Sequence, residues 1–272
     1  MLQFTKMTGI GNDYVYIDGF RHRVAQPSKL AIAMADRHFG VGSDGLVLIL
    51  PSRKADCRMR MFNSDGSEAE MCGNAIRCVA KFVHDRGRVR KTALTIETAC
   101  GIKPISLAVR GGKMVSATVD MGAPILEPAL IPVAAKTNRI RLGGYAWTCV
   151  SMGNPHAVTF VKSAADAPVL VKGPGFERAP VFPRRCNIEF AEIVSRKRIR
   201  MRVWERGAGE TLACGTGACA TAVAAALNGL TGRDVDVELT GGTLHIAWSE
   251  ADNRVRMTGG ADFVFDGVWL KG

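Results

Sequence analysis

Met71-Cys72-Gly73-Asn74 and Ala213-Cys214-Gly215-Thr216 are two versions of one device, set 142 residues apart. In each, a cysteine is followed by glycine, then by a polar residue, then by a small-residue run that reads as a helix. At the same offset Phe62 falls on Trp204, Asn63 on Glu205, Glu68 on Glu210 and Ala80 on Ala222. With no gap it also brings Gly11-Asn12 onto Gly153-Asn154, Gly45 opposite Asn187 and His38 opposite Pro180. Two separate windows in phase, each carrying polar residues and glycines, indicate duplication of a whole domain. A solenoid would repeat every 20–50 residues or so.

Length and composition agree with that reading. A chain of 272 residues has room for two domains with their own cores. Hydrophobic content of 47% and charged content of 22% are those of a globular protein. No apolar run reaches the roughly 18–20 residues of a membrane span. Residues 1–6 carry no charged-then-apolar leader, so a cytoplasmic location is expected, with the eight cysteines reduced. The net charge of +11 raises a nucleic-acid reading, yet the basic residues are dispersed. In the densest stretch Arg198, Arg200 and Arg202 alternate with Ile199, Met201 and Val203, which is the period of a strand with one wet face. No interleaved aromatics accompany it, so neither nucleic acid nor membrane is expected as a partner. A positive field would help to gather a dicarboxylate.

Short strands and few helices are expected. Helices are read over 28–39, with Ser28 near the N-cap and Gly40 as the stop, over 75–85, and over 217–227 capped by Asn228-Gly229. Gly122-Ala123-Pro124 is the best inter-domain break, and a last strand over 262–270 could cross back to the first half. The expected domains are therefore 1–120 with about 262–272, carrying Cys72, and 121–261, carrying Cys214.

A cysteine just before a helix sits where unpaired N–H groups and the positive dipole end favour an anion, which lowers its thiol pKa. The following glycine lets a ligand approach the backbone, and the N–H groups of Gly73-Asn74 and Gly215-Thr216 can cradle a carboxylate. Three other readings compete. Each cysteine could be a buried helix-start residue and nothing more. Zinc is disfavoured, because Cys72 and Cys78 are six apart and Cys214 and Cys219 five apart, outside the two-to-four-residue gap of a zinc knuckle. A Cys–His hydrolase built on Cys214 and His156 would leave Cys72 without a purpose. Two thiols suit cofactor-free racemisation or epimerisation, one thiolate taking a proton from one face of a carbon and one thiol returning one to the other.

At these residues the chain resembles the diaminopimelate epimerase family. The resemblance runs through Gly9-Ile10-Gly11-Asn12-Asp13, the stretch from Phe62-Asn63 to Cys72-Gly73-Asn74, Gly153-Asn154-Pro155-His156, and Glu205-Arg206-Gly207 on to Cys214-Gly215-Thr216-Gly217. It covers nearly the full chain in order. It implies an α+β fold of two pseudo-symmetric domains, each a mostly antiparallel barrel-like sheet wrapped around a central helix, with the active site in the inter-domain cleft. It implies interconversion of LL- and meso-diaminopimelate without cofactor or metal, with Cys72 and Cys214 as the catalytic pair. In the LL-to-meso direction Cys214 abstracts and Cys72 donates. Gly73-Asn74 and Gly215-Thr216 would hold the reacting carboxylate, and Asn12, Asn63, Asn154, Asn187, Glu205 and Arg206 the substrate's other amino-acid head. His156 and Glu205 would support catalysis. Gly45 stands where some members carry glutamine, which removes one side-chain contact. A homodimer is compatible with this reading. A proline- or hydroxyproline-type racemase of the same fold, and a basic non-catalytic binding protein, remain as alternatives.

Overall fold

The computed structural model describes residues 1–270. The chain forms two compact units: Met1–Val119 completed by the segment from Gly259 onward, and Asp120–Thr258.

In the first unit β1 (Leu2–Gly9) and β2 (Asn12–Asp18) form a hairpin whose two turn residues, Ile10 and Gly11, have φ of 52° and 89°. Positive φ at both positions matches the turn to the twist of its strands and fixes where Asn12 emerges. Helix α1 (Pro27–Ala35) crosses over to β3 (Gly45–Leu50), parallel to β2, and β4 (Cys57–Asn63) returns antiparallel. After the short β5 (Glu68–Ala69), helix α2 (Gly73–Asp85) crosses to β6 (Ala93–Thr98), parallel to β4, and β7 (Gly101–Arg110) and β8 (Lys113–Gly122) continue as a meander. The last strand, β18 (Asp262–Trp269), pairs antiparallel with β1.

The second unit repeats this plan with β9 (Arg139–Leu142), β10 (Tyr145–Ser151), β11 (Pro155–Phe160), α3 (Val169–Glu177), β12 (Asn187–Ser195), β13 (Arg198–Glu205), β14 (Gly209–Glu210), α4 (Gly215–Leu227), β15 (Asp234–Leu239), β16 (Gly242–Trp248) and β17 (Val255–Gly259). Shifted by 142, α1 falls residue for residue on α3 and α2 on α4. The parallel pairs recur as β11 with β12 and β13 with β15. Strand β9 lies against β10 as β18 lies against β1. The expected α+β class with two pseudo-symmetric halves is borne out.

Helix α4 is apolar on nearly every side and packs against β10, β11, β12, β13, β15 and β16, so the sheet curls round it. Its length of small residues, Gly-Thr-Gly-Ala-Cys-Ala-Thr-Ala, lets the strands come close. Helix α2 is equally central although it carries Arg77, which is fully buried. A second apolar layer in the second unit joins Trp147, Phe176 and Phe190 to the half-buried Tyr145 in edge-to-face contact.

Several boundaries differ from expectation. Helix α1 ends at Ala35 and not near Phe39, because the Asp36 carboxylate accepts from the N–H groups of His38 and Phe39, each at 2.7 Å, and turns the chain. Helices α2 and α4 start two residues earlier than read, at Gly73 and Gly215, so each glycine is the first helical residue. Helix α3, with two glycines and an internal Pro174, has no amphipathic pattern and was not anticipated. The alternating basic strand is as expected: in β13 Ile199, Met201 and Val203 are buried, while Arg200 and Arg202 reach Glu192 and Glu210 at 3.2 and 2.7 Å. Among the described residues no helix is long and apolar enough to cross a membrane.

Candidate active site

Each unit carries one cysteine at a helix start, built on the same geometry. Cys72 is the N-cap of α2 and Cys214 the N-cap of α4, both in extended conformation, with φ, ψ of −138°, 123° and −122°, 106°. The first intrahelical bonds run from Ile76 N–H to the Cys72 carbonyl, 3.0 Å, and from Ala218 N–H to the Cys214 carbonyl, 2.9 Å. The N–H groups of the residues between lie in the first turn, where a helix offers donors to an anion.

In the first unit, the Asn12 side-chain oxygen accepts from the Cys72 thiol at 3.5 Å. The Asn12 amide nitrogen donates to Asp44 Oδ2 at 2.7 Å, and the Asp13 N–H donates to the same oxygen at 3.1 Å. Asp44 therefore orients Asn12, and Arg37 backs it at 3.2 Å. Burial, then the neighbouring charge of Asp13, raises the Asp44 carboxyl, while its hydrogen bonds and Arg37 pull the other way. Asn63 is tied locally, donating to Ser67 Oγ at 3.0 Å. Asn74 is buried in the first turn of α2, and its side-chain oxygen accepts from Arg77 Nη2 at 3.0 Å. Arg77 also donates to the Gly73 carbonyl at 2.9 Å and to the Gly260 carbonyl at 3.1 Å, clamping the helix start from within. Neither Arg77 nor Asp44 was singled out from the sequence. The available signal was an arginine set between the apolar residues Ile76 and Cys78 in the first turns of the helix.

Gly45 has a packing cause of its own. A Cβ there would stand 2.0 Å from the Phe62 carbonyl oxygen and 2.9 Å from Tyr14 Cε1. In this chain position 45 has no room for any side chain, so glycine is imposed by β4 rather than by the ligand.

In the second unit His156 is fully buried between two oxygens: Nδ1 lies 2.6 Å from Glu189 Oε1 and Nε2 3.0 Å from Asn154 Oδ1. Asn187, also buried, donates to the Pro155 carbonyl at 2.8 Å and accepts from the Arg206 N–H at 2.9 Å. The Arg206 guanidinium donates to the Arg184 carbonyl at 3.2 Å. Glu205 accepts from the Thr211 hydroxyl. Cys214 Sγ lies 3.6 Å from Thr216 Oγ1. Within this unit His156, Asn154, Asn187, Arg206, Glu205, Cys214, Gly215 and Thr216 thus form chains of direct neighbours. Glu189 was missed; its signal was an acid inside the apolar strand Asn187-Ile188-Glu189-Phe190.

The expectation that a helix start lowers the thiol does not hold at Cys214. Burial pushes that thiol well above its ordinary value, and the charges of Glu205 and Glu189 push further in the same direction. Desolvation and two nearby carboxylates outweigh the helix end. Cys78 and Cys219 are buried as expected, and burial takes Cys78 up to about 12. Among the described residues no three His, Cys, Asp or Glu side chains cluster as metal ligands.

Comparison with known proteins decides the family. The model of a family described as diaminopimelate epimerase matches residues 4–127 and 148–264. The chain belongs to the diaminopimelate epimerase family. It is 59% identical to the diaminopimelate epimerase of Desulfovibrio desulfuricans, with 98% of each chain covered. Identity is 55% to that of Acetivibrio thermocellus, again with 98% of each chain covered. The resemblance carried by the cysteine and asparagine motifs is borne out, and the family is one of isomerases. Among solved structures, a phenazine biosynthesis protein of the PhzF family from Bacillus anthracis matches with a TM-score of 0.74 at 18% identity, over 99% of each chain. A probable proline racemase from Agrobacterium radiobacter matches with a TM-score of 0.72 at 16% identity, over 100% of this chain and 94% of its own. At that distance these two share the fold of diaminopimelate epimerases and carry no assignment of substrate.

Proposed function

We propose that the protein interconverts LL- and meso-2,6-diaminopimelate by proton transfer at the α-carbon. The observation that carries this reading is that a family member holds one thiol at the same helix N-cap in each of two duplicated units. Inverting a carbon requires a proton to leave one face and another to arrive at the opposite face. Two acid–base groups supply this, one as thiolate and one as thiol, and they exchange roles with direction. Taking the LL-to-meso direction, Cys214 removes the proton and Cys72 returns one. The first-turn N–H groups at Gly73-Asn74 and Gly215-Thr216 face the reacting carboxylate and stabilise the charge that develops beside it.

The remaining amino-acid head has its own ammonium and carboxylate. Asn12, Asn63, Asn154, Asn187, Glu205 and Arg206 supply amides, one acid and one guanidinium for it. His156, held rigidly between Asn154 and Glu189, supports the site without carrying the proton. No lysine Schiff base and no metal enter this scheme. The same reading puts the protein in the cytoplasm as a homodimer, which light scattering on the purified protein checks.

The test is proton exchange in deuterated water, with LL- and meso-diaminopimelate supplied separately. Deuterium is expected at the α-carbon of the product isomer. Exchange of proline or hydroxyproline but not of diaminopimelate would replace this substrate by that of the related racemases.

A further inference from the structure

One ion pair is duplicated residue for residue. In the first unit Arg60 on β4 forks onto Glu68 on β5, Nε donating to Oε1 at 2.7 Å and Nη2 to Oε2 at 2.8 Å. At the 142-residue offset the same residues stand as Arg202 on β13 and Glu210 on β14, and the same two bonds recur at 2.7 and 3.1 Å. Other ion pairs of the first unit have no such echo. Lys6 with Asp13 becomes Thr148 and Pro155, Arg37 with Asp44 becomes Ala179 and Cys186, and Lys81 with Asp85 becomes Val223 and Leu227. A pair present in both halves has a task common to both. Stability is a poor candidate for that task, because both forks are partly exposed, 32% and 43% in the first and 24% and 20% in the second.

Each fork closes a hairpin whose second strand has only two residues, Glu68–Ala69 or Gly209–Glu210. Phe62 faces Glu68 in one and Trp204 faces Glu210 in the other. The turn is shut by the Gly66 N–H on the Asn63 carbonyl, 2.9 Å, and by the Ala208 N–H on the Glu205 carbonyl, 3.1 Å. So short a strand has too few ladder bonds to keep its register alone, and a slip of one residue would turn every following side chain to the wrong face. A bidentate contact supplies what the ladder lacks, since a planar guanidinium on a carboxylate fixes angle as well as distance. Each guanidinium is held in turn. Arg60 lies over the Phe62 ring at 5.1 Å, and Arg202 Nη1 donates to the Ala165 and Ala167 carbonyls at 2.7 and 3.1 Å, just before α3.

We infer that Arg60 with Glu68, and Arg202 with Glu210, are twin pairs of positioning residues. Each fork fixes the hairpin that carries Asn63 or Glu205-Arg206 at its turn, and each sets the approach to its own cysteine, Cys72 or Cys214, four residues beyond the glutamate. The inference rests on the proposed two-thiol chemistry for its purpose, though part of its test does not. Residues at the turn and the thiol at the helix start are joined by one short length of chain, so a single fork governs the place of both. A displacement of about 1 Å at such groups is enough to cost a large factor in rate.

The test compares E68Q and E210Q, which keep shape and remove charge, with the intact protein. Amide hydrogen exchange read by mass spectrometry should rise about tenfold over residues 63–72 in E68Q and stay unchanged over 205–214; E210Q should do the reverse. Each variant should lose about tenfold in kcat/KM for diaminopimelate while its melting temperature moves by less than about 4 °C. R60K keeps the charge but gives up the fork, and should match E68Q. The double variant R60K/E68Q should lose no more than either single one, because the fork is already gone. Unchanged exchange in the variant's own hairpin, equal rises in both hairpins, or full activity from a loosened hairpin would overturn the inference. If E210Q does not fold, E210D, which draws the charge back by one methylene, carries the same expectation. Failure of the intact protein to epimerise diaminopimelate would sink the substrate reading and leave the exchange result untouched.

Discussion

Glu189 Oε1 and Cys214 Sγ are separated by the bare Cα of Gly217, standing 3.0 and 3.2 Å from the place a methyl would occupy. Gly217→Ala is therefore a sensitive probe. The alanine gains up to about 1 kcal/mol of helix propensity and loses about 1–3 kcal/mol to overpacking, so the melting temperature should move only a few degrees. The displaced thiol should cost much more in rate, on the order of a hundredfold in kcat. Calorimetry beside steady-state epimerisation separates the two effects, and an active Gly217→Ala would show that this contact tolerates displacement.

Cys72→Ala and Cys214→Ala should each lose epimerisation by about 10²–10⁴-fold, the range for removing one acid–base group. Neither single variant should retain more than residual activity, because each direction uses both thiols. Circular dichroism should be unchanged in both.

Asp44→Asn should weaken the reaction by acting on Asn12. The carboxylate now takes both the Asn12 amide, at 2.7 Å, and the Asp13 N–H, at 3.1 Å. Its replacement by an amide halves the acceptors and lets Asn12 turn away from Cys72. A loss of roughly tenfold in kcat/KM is expected, consistent with one charge-assisted hydrogen bond.

Arg77→Met should destabilise the first unit. It removes donors from the carbonyls of Gly73 and Gly260 and from the Asn74 side chain, all around a fully buried position. Losing these charge-assisted hydrogen bonds from a buried position costs about 3 kcal/mol, or a melting temperature lower by roughly 6–12 °C. Thermal unfolding followed by tryptophan fluorescence and circular dichroism measures this.

Alkali should unfold the protein through its buried thiols. Burial takes Cys57, Cys78 and Cys149 up to about 12. The folded state then holds protons that the unfolded chain releases near its ordinary thiol value of about 8.5. Where the folded state binds more protons, stability falls as pH rises, so the loss runs from about pH 8.5 up to about 12. Urea midpoints measured across that window should decline, and Cys78→Ala should flatten the slope.

The duplication was legible because residues with few substitutes, the cysteines, glycines and asparagines of the hairpins and helix starts, stay in phase over 142 positions. Helix α3 escaped notice because Gly173, Pro174 and Gly175 erase its periodicity. Its partner α1, at the same offset, would have revealed it. The resting state of Cys214 was misread because a sequence displays the helix start but not the burial or the carboxylates that gather from β12 and β13. Glu189 and Arg77 share that cause: a charge inside a core has meaning only through the partners that the fold delivers. Gly45 looked like a lost ligand contact and is in fact a steric necessity of the neighbouring strand.

Strand β18 seals β1, with Thr5 Oγ1 donating to Asp266 Oδ1 at 2.6 Å across 261 positions of sequence. During synthesis, β1 leaves the ribosome well ahead of β18, and its outer edge stays open until the 261 positions between Thr5 and Asp266 have been made. The second unit, being one continuous stretch, can close meanwhile. Over that interval the nascent protein carries a sticky, half-finished sheet, and it is this first unit, not the second, that chaperones have reason to guard.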